Sequence, residues 1–308
     1  MRYVLIVNPA SGSRSHQEAL RFVERYFQKH GLELSVRVTS RPGEATEMAR
    51  LAAQEADVVI GAGGDGTINE VMEGLAGTSV ALGVLPWGTG NVFAAELGIP
   101  AHLRGQCRVL RRNRRMLMDV GRLETGGRIR YFLLMFSAGF DAYALRRADK
   151  DNLKPFLGPV AYAAAAFRSV WRYHFPEITV EFPDGSQEKG AFVLISNTRL
   201  YGRIFSFAPA AVPTDGQLDV TILRDRTRWR TLGFLLKALW GAWTGRGPQL
   251  GRETFRDAVY IKTTSVKLRG PSGIWAQWDG DARSGLPVDI DVVPAALPVV
   301  VPRRLQRR

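Results

Sequence analysis

The chain has 308 residues, of which 45% are hydrophobic; this predicts two globular domains and excludes a mainly disordered protein. A single cysteine, Cys107, excludes an internal disulfide framework and fits a reducing compartment. The formal net charge of +13 indicates either a polyanionic partner, which would be nucleic acid or an anionic membrane surface, or a solubilising surface without a partner.

The first hundred residues alternate between strand and helix patterns. Short apolar or β-branched runs predict strands at 3–8, 32–40, 57–63 and 79–86. Helical spacing and stop signals predict helices at 14–31, 43–56, 67–77 and 91–99. Strands separated by helices favour a parallel sheet with right-handed crossovers. Ligands of such a sheet bind at the carboxyl ends of its strands.

From about residue 120 the pattern changes to strand-like segments separated by turn signals, such as Pro183-Asp184-Gly185. Two helical stretches, 158–173 and 228–243, interrupt them. The second part therefore predicts a largely antiparallel β domain. No repeat or long linker separates the two parts, and we expect the domains to share a cleft.

Three glycine-bearing loops follow strands of the first part: "NPASGS" (8–13), "GGDGT" (63–67) and "PWGTGN" (86–91). Glycine lets backbone N–H groups close on phosphate oxygens, and each loop leads into a helix N-terminus, which favours anions. One such loop is weak support for a phosphate site. Three at one sheet edge favour a nucleotide phosphate site over simple turns.

The middle loop also spells a G-x-G-x-x-G dinucleotide fingerprint with Gly61, Gly63 and Gly66. That fingerprint requires the first strand of the domain and an acidic residue about 20 positions further on, and neither is present. Asp65 would repel a bare pyrophosphate but could bridge to it through Mg2+. The loop therefore suits a nucleotide with a metal better than a dinucleotide.

Several motifs follow one another in a recognisable order: "NPASGS", "GGDGTINEVMEGL", "LGVLPWGTGNVFAAELGIP", "SAGFDA", "APAAVPTDGQLDV" and "WDGD". In this order they resemble the diacylglycerol kinase catalytic-domain family over nearly the whole chain. GGDGT alone is shared with NAD kinases and phosphofructokinases, whereas the combination with GTGN and DG-x-LDV is more specific to lipid kinases.

The resemblance implies an α/β lobe with a parallel sheet for ATP and a C-terminal antiparallel β-sandwich lobe for the lipid. We expect the first lobe at 1–122, joined by the C-terminal segment 295–308, and the second at 123–294. The implied activity is ATP- and Mg2+-dependent phosphorylation of a lipid hydroxyl, with diacylglycerol first among several lipids. An NAD kinase-like phosphotransferase is the alternative enzyme.

Site residues follow from the resemblance, position by position. It assigns ATP contacts to Asn8, Pro9, Ala10, Ser11, Gly12, Thr39, Gly63, Gly64, Asp65, Gly66, Thr67, Ile68, Asn69 and Thr89. It links two of the acidic residues, Asp65 and Asp119, to active-site Mg2+. It also implies a structural metal held by Asp215 and by backbone oxygens of Val212 and Gln217, although Asp215-Gly216 could be a plain β-turn.

The resemblance places a catalytic base in "WDGD" (278–281), where the family usually reads Asp-Gly-Glu. Asp279 matches the family's Asp, and Asp281 replaces its Glu. A carboxylate here could accept the proton of the attacking lipid hydroxyl. Because Asp281 is one methylene shorter than Glu, we predict Asp279 as the base. The alternative, that Asp279-Gly280 is only a hairpin turn, stays open.

The expected partner is a lipid substrate at an anionic membrane surface, and not nucleic acid, because no reading motif or aromatic-rich basic face accompanies the charge. The segment 226–246 carries three tryptophans with basic residues at both ends, as an interfacial helix does. No run reaches the roughly 18 apolar residues of a spanning helix. We therefore expect a cytoplasmic protein, peripheral at the inner membrane face. Its oligomeric state, monomer or homodimer, stays open.

Overall fold

A computed structural model describes residues 1–10, 16–150, 168–201, 205–206, 208–224 and 258–303, together with the single positions 227, 229 and 233. The chain forms two compact units. The first unit comprises 1–120 and 294–308, and the second comprises 121–293.

Strands and helices alternate through the first unit. Its elements are β1 (Arg2–Val7), α1 (His16–Lys29), β2 (Glu33–Val38), α2 (Glu44–Ala52), β3 (Val58–Gly63), α3 (Asp65–Leu75), β4 (Ala81–Pro86), α4 (Val92–Glu96), α5 (Leu103–Arg112) and the beginning of β5 (Arg115–Thr125).

The second unit consists mainly of strands. After the end of β5 its elements are β6 (Arg128–Phe132), β7 (Met135–Gly139), α6 (Phe140–Lys150), β8 (Ile178–Glu181), β9 (Gln187–Gly190), β10 (Phe192–Ser196), β11 (Leu200–Tyr201), β12 (Phe205–Ser206), β13 (Leu218–Leu223), β14 (Ala258–Thr263), β15 (Ser265–Arg269), β16 (Trp275–Trp278), β17 (Asp281–Ser284) and the beginning of β18 (Val288–Val300).

The sheet of the first unit is parallel, with strand order β2-β1-β3-β4 and the end of β18 beside β4. Strand β3 is buried along its whole length, as expected for a strand covered on both faces. Helix α1 buries Ala19, Val23 and Phe27, which are spaced four residues apart and so lie on one face. This packing fixes the carboxyl ends of β1, β3 and β4 at one edge.

The second unit is a sandwich of antiparallel strands. One sheet has the order β14-β13-β10-β7-β16-β17, and the other includes β15, β8 and β9 next to the beginning of β18. Apolar side chains from both sheets form one core; Val180 and Leu268 come from one sheet, and Val193 and Val220 from the other. The alternation of buried and outward positions along β8 matches a strand with one face on this core.

These two architectures confirm the predicted fold class, an α/β lobe followed by an antiparallel β lobe. The strand–helix alternation predicts every element of the first unit up to α4. It misses α5 and β5, because arginines dominate α5 and obscure its apolar face. The predicted helices 158–173 and 228–243 lie mainly outside the described residues. Across the part of the chain that the structure describes, no helix has both the length and the hydropathy of a membrane span.

Candidate active site

Two of the three glycine-bearing loops are joined directly at the carboxyl edge of the first unit's sheet. The carbonyl of Gly63 accepts hydrogen bonds from the N–H groups of Trp87 (2.9 Å) and Gly88 (3.1 Å). A Cβ on Gly88 would lie 2.4 Å from the Cα of Gly64, a distance that no side chain tolerates. Glycine at 88 is therefore required for the GGDGT and PWGTGN loops to touch.

The first loop is tied to the same place through Asn8. Its Nδ2 donates to the hydroxyl of Thr67 (3.1 Å), and its Oδ1 accepts from the N–H of Ala10 (3.0 Å). The buried Thr39 donates from its N–H to the carbonyl of Val7 (2.9 Å), which fixes the end of β1 beside the end of β2. The Asn8 side chain thus ties the first loop to the GGDGT loop, and a backbone hydrogen bond from Thr39 joins the ends of β1 and β2.

Asp65 links the GGDGT loop to helix α4. Its Oδ2 accepts from the N–H of Val92 and its Oδ1 from the N–H of Phe93, both at 3.0 Å. These are free N–H groups of the first turn of α4, so the carboxylate caps that helix. Each carboxylate oxygen can accept a second partner, and half-buried Asp65 fits a Mg2+ ligand that also caps a helix.

Glu70 performs the equivalent task for helix α2, a role that the sequence analysis did not assign. Its two oxygens accept from the N–H groups of Gly43 (3.0 Å) and Ala45 (3.2 Å) at the start of that helix. The GGDGTINE motif thus contributes three side chains, Asp65, Thr67 and Glu70, that fasten neighbouring segments around the loops. The motif contains Glu70, but sequence alone does not identify its partners, because Gly43 and Ala45 lie more than 20 positions away.

The other predicted ATP-contacting residues lie around the same edge. Pro9, Ala10, Gly66 and Thr89 are exposed there, and Asn69 is half-buried on α3. Ile68 is buried, with its Cδ1 packed against Gly61 of β3, so only its backbone is available to a nucleotide. Ser11 and Gly12 lie outside the described residues.

Asp119, predicted to act with Mg2+, is only 2% exposed. Its Oδ1 accepts from the N–H of Ala295 (2.8 Å), a residue with positive φ on β18. This contact attaches the returning C-terminal strand to β5 within the first unit. Its burial favours this structural role over metal binding.

Lys262 engages the predicted structural-metal residue Asp215. Its Nζ lies 2.6 Å from Asp215 Oδ2 and 3.7 Å from Asp219 Oδ2, and Asp215 Oδ1 accepts from the N–H of Gln217. The carbonyl of Val212 accepts from the N–H of Thr214 (2.8 Å). An ammonium group therefore sits on the carboxylate oxygen that a metal would need, and this ligand set does not fit a metal.

The pKa of Asp219 and the pKa of Lys262 each depend on the charges around them, including that of Asp215. Burial raises the pKa of the Asp219 carboxyl, although hydrogen bonding from Tyr260 and the charge of Lys262 oppose the shift. Burial lowers the pKa of Lys262, but its hydrogen bond with Asp215 and the charges of both carboxylates outweigh this and raise it overall. Lys262 is therefore charged at neutral pH.

The "WDGD" segment forms a two-residue hairpin turn between β16 and β17, with Trp278 paired with Asp281. Asp279 (φ +48°) and Gly280 (φ +87°) are both left-handed, as a type I′ turn requires. Asp279-Gly280 is therefore a hairpin turn, and whether it is more than a turn depends on what the two carboxylates of the segment do.

The carboxylate of Asp279 accepts three backbone hydrogen bonds, from the N–H groups of Leu133 (2.7 Å), Leu134 (2.9 Å) and Met135 (3.0 Å). Three donors fill three of the about four lone-pair sites of the carboxylate and hold it against the backbone; the fourth site is on Oδ2. These contacts argue against the prediction that Asp279 is the base. Asp281, two residues further on, is exposed at the start of β17.

A buried polar cluster supports the same turn from the other side. Gln277 accepts from the N–H of Gly280 with its Oε1 (2.9 Å) and donates from its Nε2 to Ser137 Oγ (2.9 Å) and Asp141 Oδ2 (3.1 Å). Ser137 and Tyr201 also donate to Asp141. Asp141 belongs to the "SAGFDA" motif, and this contact with the WDGD turn gives that motif a structural purpose.

The described residues contain no ready-made metal site of three or more protein ligands. Over the described residues, no three of His, Cys, Asp and Glu come together as a metal-binding group. Mg2+ is commonly held by one or two carboxylates together with substrate phosphates, and the surroundings of Asp65 suit this mode of binding.

Comparison with known proteins matches both parts of the chain. The family model described as "Diacylglycerol kinase catalytic domain" matches residues 2–123. The model described as "YegS C-terminal NAD kinase beta sandwich-like domain" matches residues 135–301.

Individual relatives match over nearly their full lengths. A diacylglycerol kinase of Bacillus subtilis is 30% identical over 306 residues, which is 97% of this chain and 96% of the relative. One of Staphylococcus saprophyticus is also 30% identical, over 92% and 90% of the two chains. The crystal structure of a diacylglycerol kinase from Bacillus anthracis superposes with a TM-score of 0.72, at 20% identity and with 98% and 97% coverage, and supports the fold alone.

Proposed function

This chain belongs to the diacylglycerol kinase family and is an ATP-dependent lipid kinase, and we propose that its acceptor is the hydroxyl of diacylglycerol and its metal Mg2+. The observation that carries the proposal is the geometry at the carboxyl edge of the first unit's sheet, where Gly64 and Gly88 bring two glycine-bearing loops together and Asp65 accepts from the start of helix α4. The choice of diacylglycerol as the acceptor rests on the names of the two relatives at 30% identity, both called diacylglycerol kinase.

The loops supply what phosphoryl transfer needs from a protein, which is mainly positioning and charge stabilisation. Backbone N–H groups of the loops and the N-termini of α1 and α3 would hold the phosphates of ATP. Mg2+, held by Asp65 and the phosphates, would neutralise their charge. Asp65 would also keep α4 and the PWGTGN loop in place around the nucleotide.

Transfer is a direct displacement in this proposal. The lipid hydroxyl oxygen bonds to the γ-phosphorus, the bond from that phosphorus to the bridging oxygen breaks, and ADP leaves with the electron pair. The hydroxyl proton passes to a carboxylate of the protein.

We assign that carboxylate to Asp281 and give Asp279 a positioning role. Asp281 is exposed, whereas the oxygens of Asp279 are held by three backbone donors. Asp279 and Gln277 together fix the two-residue turn that carries Asp281. Asp281 also occupies the position where the family usually has Glu. Its side chain is one methylene shorter, but it still presents a carboxylate directly after a fixed turn.

A peripheral position at an anionic membrane surface is part of the proposal. Trp229, from the segment with interfacial composition, is 70% exposed, and its ring meets that of Trp171, 45% exposed, at a centroid distance of 5.5 Å. Exposed tryptophans and a net charge of +13 are the features that interfacial binding uses.

The test is transfer of label from γ-labelled ATP to a panel of acceptors: diacylglycerol, sphingosine, ceramide, phosphatidylglycerol and NAD. We expect label in diacylglycerol, abolished when Mg2+ is chelated. Label in another lipid would change the acceptor but keep the lipid kinase. Label in NAD and in none of the lipids would favour the NAD kinase-like alternative and contradict the proposal.

A further inference from the structure

A cavity of about 590 Å3 opens in the first unit, and none of its residues belongs to the three phosphate loops. One wall comes from α5 and the segments on either side of it, within 98–114, and the other from the chain after β18. The lining residues are Gly98, Pro100, His102, Gly105, Arg108, Val109, Arg112, Arg114, Val301, Pro302 and Arg303.

Four arginines line this cavity, and no acidic residue does so. On α5 the lining positions are Gly105, Arg108, Val109 and Arg112, the spacing of one helix face. Arg108 and Arg112 are exposed, and no ion pair within the described chain involves either one. The two guanidinium groups are therefore available to an anion from solution.

The interior of the cavity is apolar and held in place by backbone contacts. Val109, Val301 and the proline rings contribute its apolar surface. The N–H of Val301 donates to the carbonyl of Arg114 (2.8 Å), which joins the two walls. A Cβ on Gly105 would lie 2.7 Å from Pro100 Cβ, so the glycine permits close packing at the start of α5.

His102 adds a hydrogen-bond donor. Its Nδ1 accepts from the N–H of Gly105 (3.1 Å), which leaves Nε2 as the ring nitrogen that carries a proton. The cavity therefore combines arginine forks, one imidazole N–H and an apolar interior. Arginine forks match phosphate oxygens in geometry as well as in charge.

We propose that this cavity is a second ligand site, which binds a phosphate ester next to an apolar group. The ester could come from the headgroup of an anionic phospholipid or from a soluble phosphate compound. The site is separate from the transfer of phosphate, so it stands or fails independently of the acceptor proposed above.

The experiment uses the full chain and two double variants. Arg108→Gln with Arg112→Gln removes two cavity arginines. Arg104→Gln with Arg111→Gln removes the same charge from exposed positions of the same helix that do not line the cavity. Binding is measured by co-sedimentation with vesicles of phosphatidylcholine alone or with phosphatidic acid, and by calorimetric titration with glycerol 3-phosphate. Circular dichroism confirms that both variants are folded.

For a lipid source, we expect the cavity variant to bind phosphatidic acid vesicles at least about tenfold more weakly than wild type, and the control to change by less than about threefold. For a soluble source, the same contrast appears with glycerol 3-phosphate. Either contrast supports the site. Equal losses in both variants would show nonspecific attraction by charge, and no loss in either would show that the cavity binds neither probe; both results overturn the proposal.

Discussion

The side-chain Oδ2 of Asp279 accepts a hydrogen bond from the backbone N–H of Leu133 at 2.7 Å, across 146 positions of sequence. The same carboxylate holds the next two N–H groups, so one turn residue fastens the strand pair β16–β17 to the start of β7. A residue selected by motif as a base thus acts first as a structural anchor.

Asp279→Asn should lower the free energy of unfolding of the second unit by about 1–3 kcal/mol, because an amide N–H2 would face backbone donors that now have an acceptor. The free energy of unfolding is measured by urea denaturation, monitored by tryptophan fluorescence. The control is Asp184→Asn in the Asp-Gly hairpin turn between β8 and β9, where the carboxylate accepts from the N–H and the hydroxyl of nearby Ser186 and from no distant strand in the described residues. Equal effects of the two substitutions would contradict the anchor role.

Gln277→Met should lower kcat about tenfold and leave the KM for ATP unchanged, because Gly280 loses the acceptor that fixes the turn while the nucleotide loops stay intact. Steady-state kinetics with saturating lipid give both constants. Gln187→Met, at an exposed position of β9, is the matched control. A rise in KM for ATP without a change in kcat would count against the positioning role.

Asp65→Asn should raise both the KM for ATP and the Mg2+ concentration for half-maximal activity by about tenfold or more, because the variant loses the negative charge while keeping one acceptor for α4. Asp57→Asn is the control: Asp57 also accepts from a backbone N–H, that of Arg2 at 2.7 Å, but lies at the amino end of β3. An unchanged Mg2+ requirement in Asp65→Asn would remove Asp65 from the metal site.

Lys262→Met should lower the melting temperature by several degrees, because the buried Asp219 and its neighbour Asp215 lose their cation, a loss of about 1–3 kcal/mol. Since the pKa of Lys262 is raised, its contribution is complete below its ordinary pKa and is lost only as pH rises through the folded value.

Because the ammonium group of Lys262, and not a metal, holds Asp215, nucleotide-free wild type at pH 7 should keep its melting temperature when EDTA is added. Differential scanning fluorimetry measures both effects, with Lys267→Met at an exposed position of β15 as the control. A fall in the melting temperature of nucleotide-free wild type on chelation, absent from Asp215→Asn, would show that a metal, and not Lys262, holds Asp215.

The part of the site that sequence predicts best is the part built from local patterns. Strand–helix alternation and the loop glycines place Gly63, Gly64 and Asp65 at one sheet edge, because each loop directly follows a strand. The return of the C-terminal strand to the first unit is different. The resemblance implies that segment 295–308 returns to the first lobe, but no local pattern shows that Val299 pairs with Leu82 of β4.

What the sequence could not predict depends on contacts between distant residues. Glu70 reaches Gly43, Lys262 reaches Asp215, and Asp279 reaches Leu133, each across more than 25 positions. These partners decide whether a carboxylate caps a helix, pairs with an ammonium or anchors a turn. A motif gives the position of each carboxylate but not its partner, so the role of each carboxylate follows only from the folded structure.

The most direct test of the account is transfer of γ-phosphate to diacylglycerol by wild type and by Asp281→Asn, Asp281→Glu and the control Asp184→Asn. We predict that wild type and the control label the lipid. Asp281→Glu, which restores the family's usual residue, should retain turnover. Asp281→Asn should lose at least about 100-fold in kcat with unchanged ATP binding. Near-normal turnover by Asp281→Asn would contradict the assignment of Asp281 as the base. No labelled lipid with wild type would contradict diacylglycerol as the acceptor.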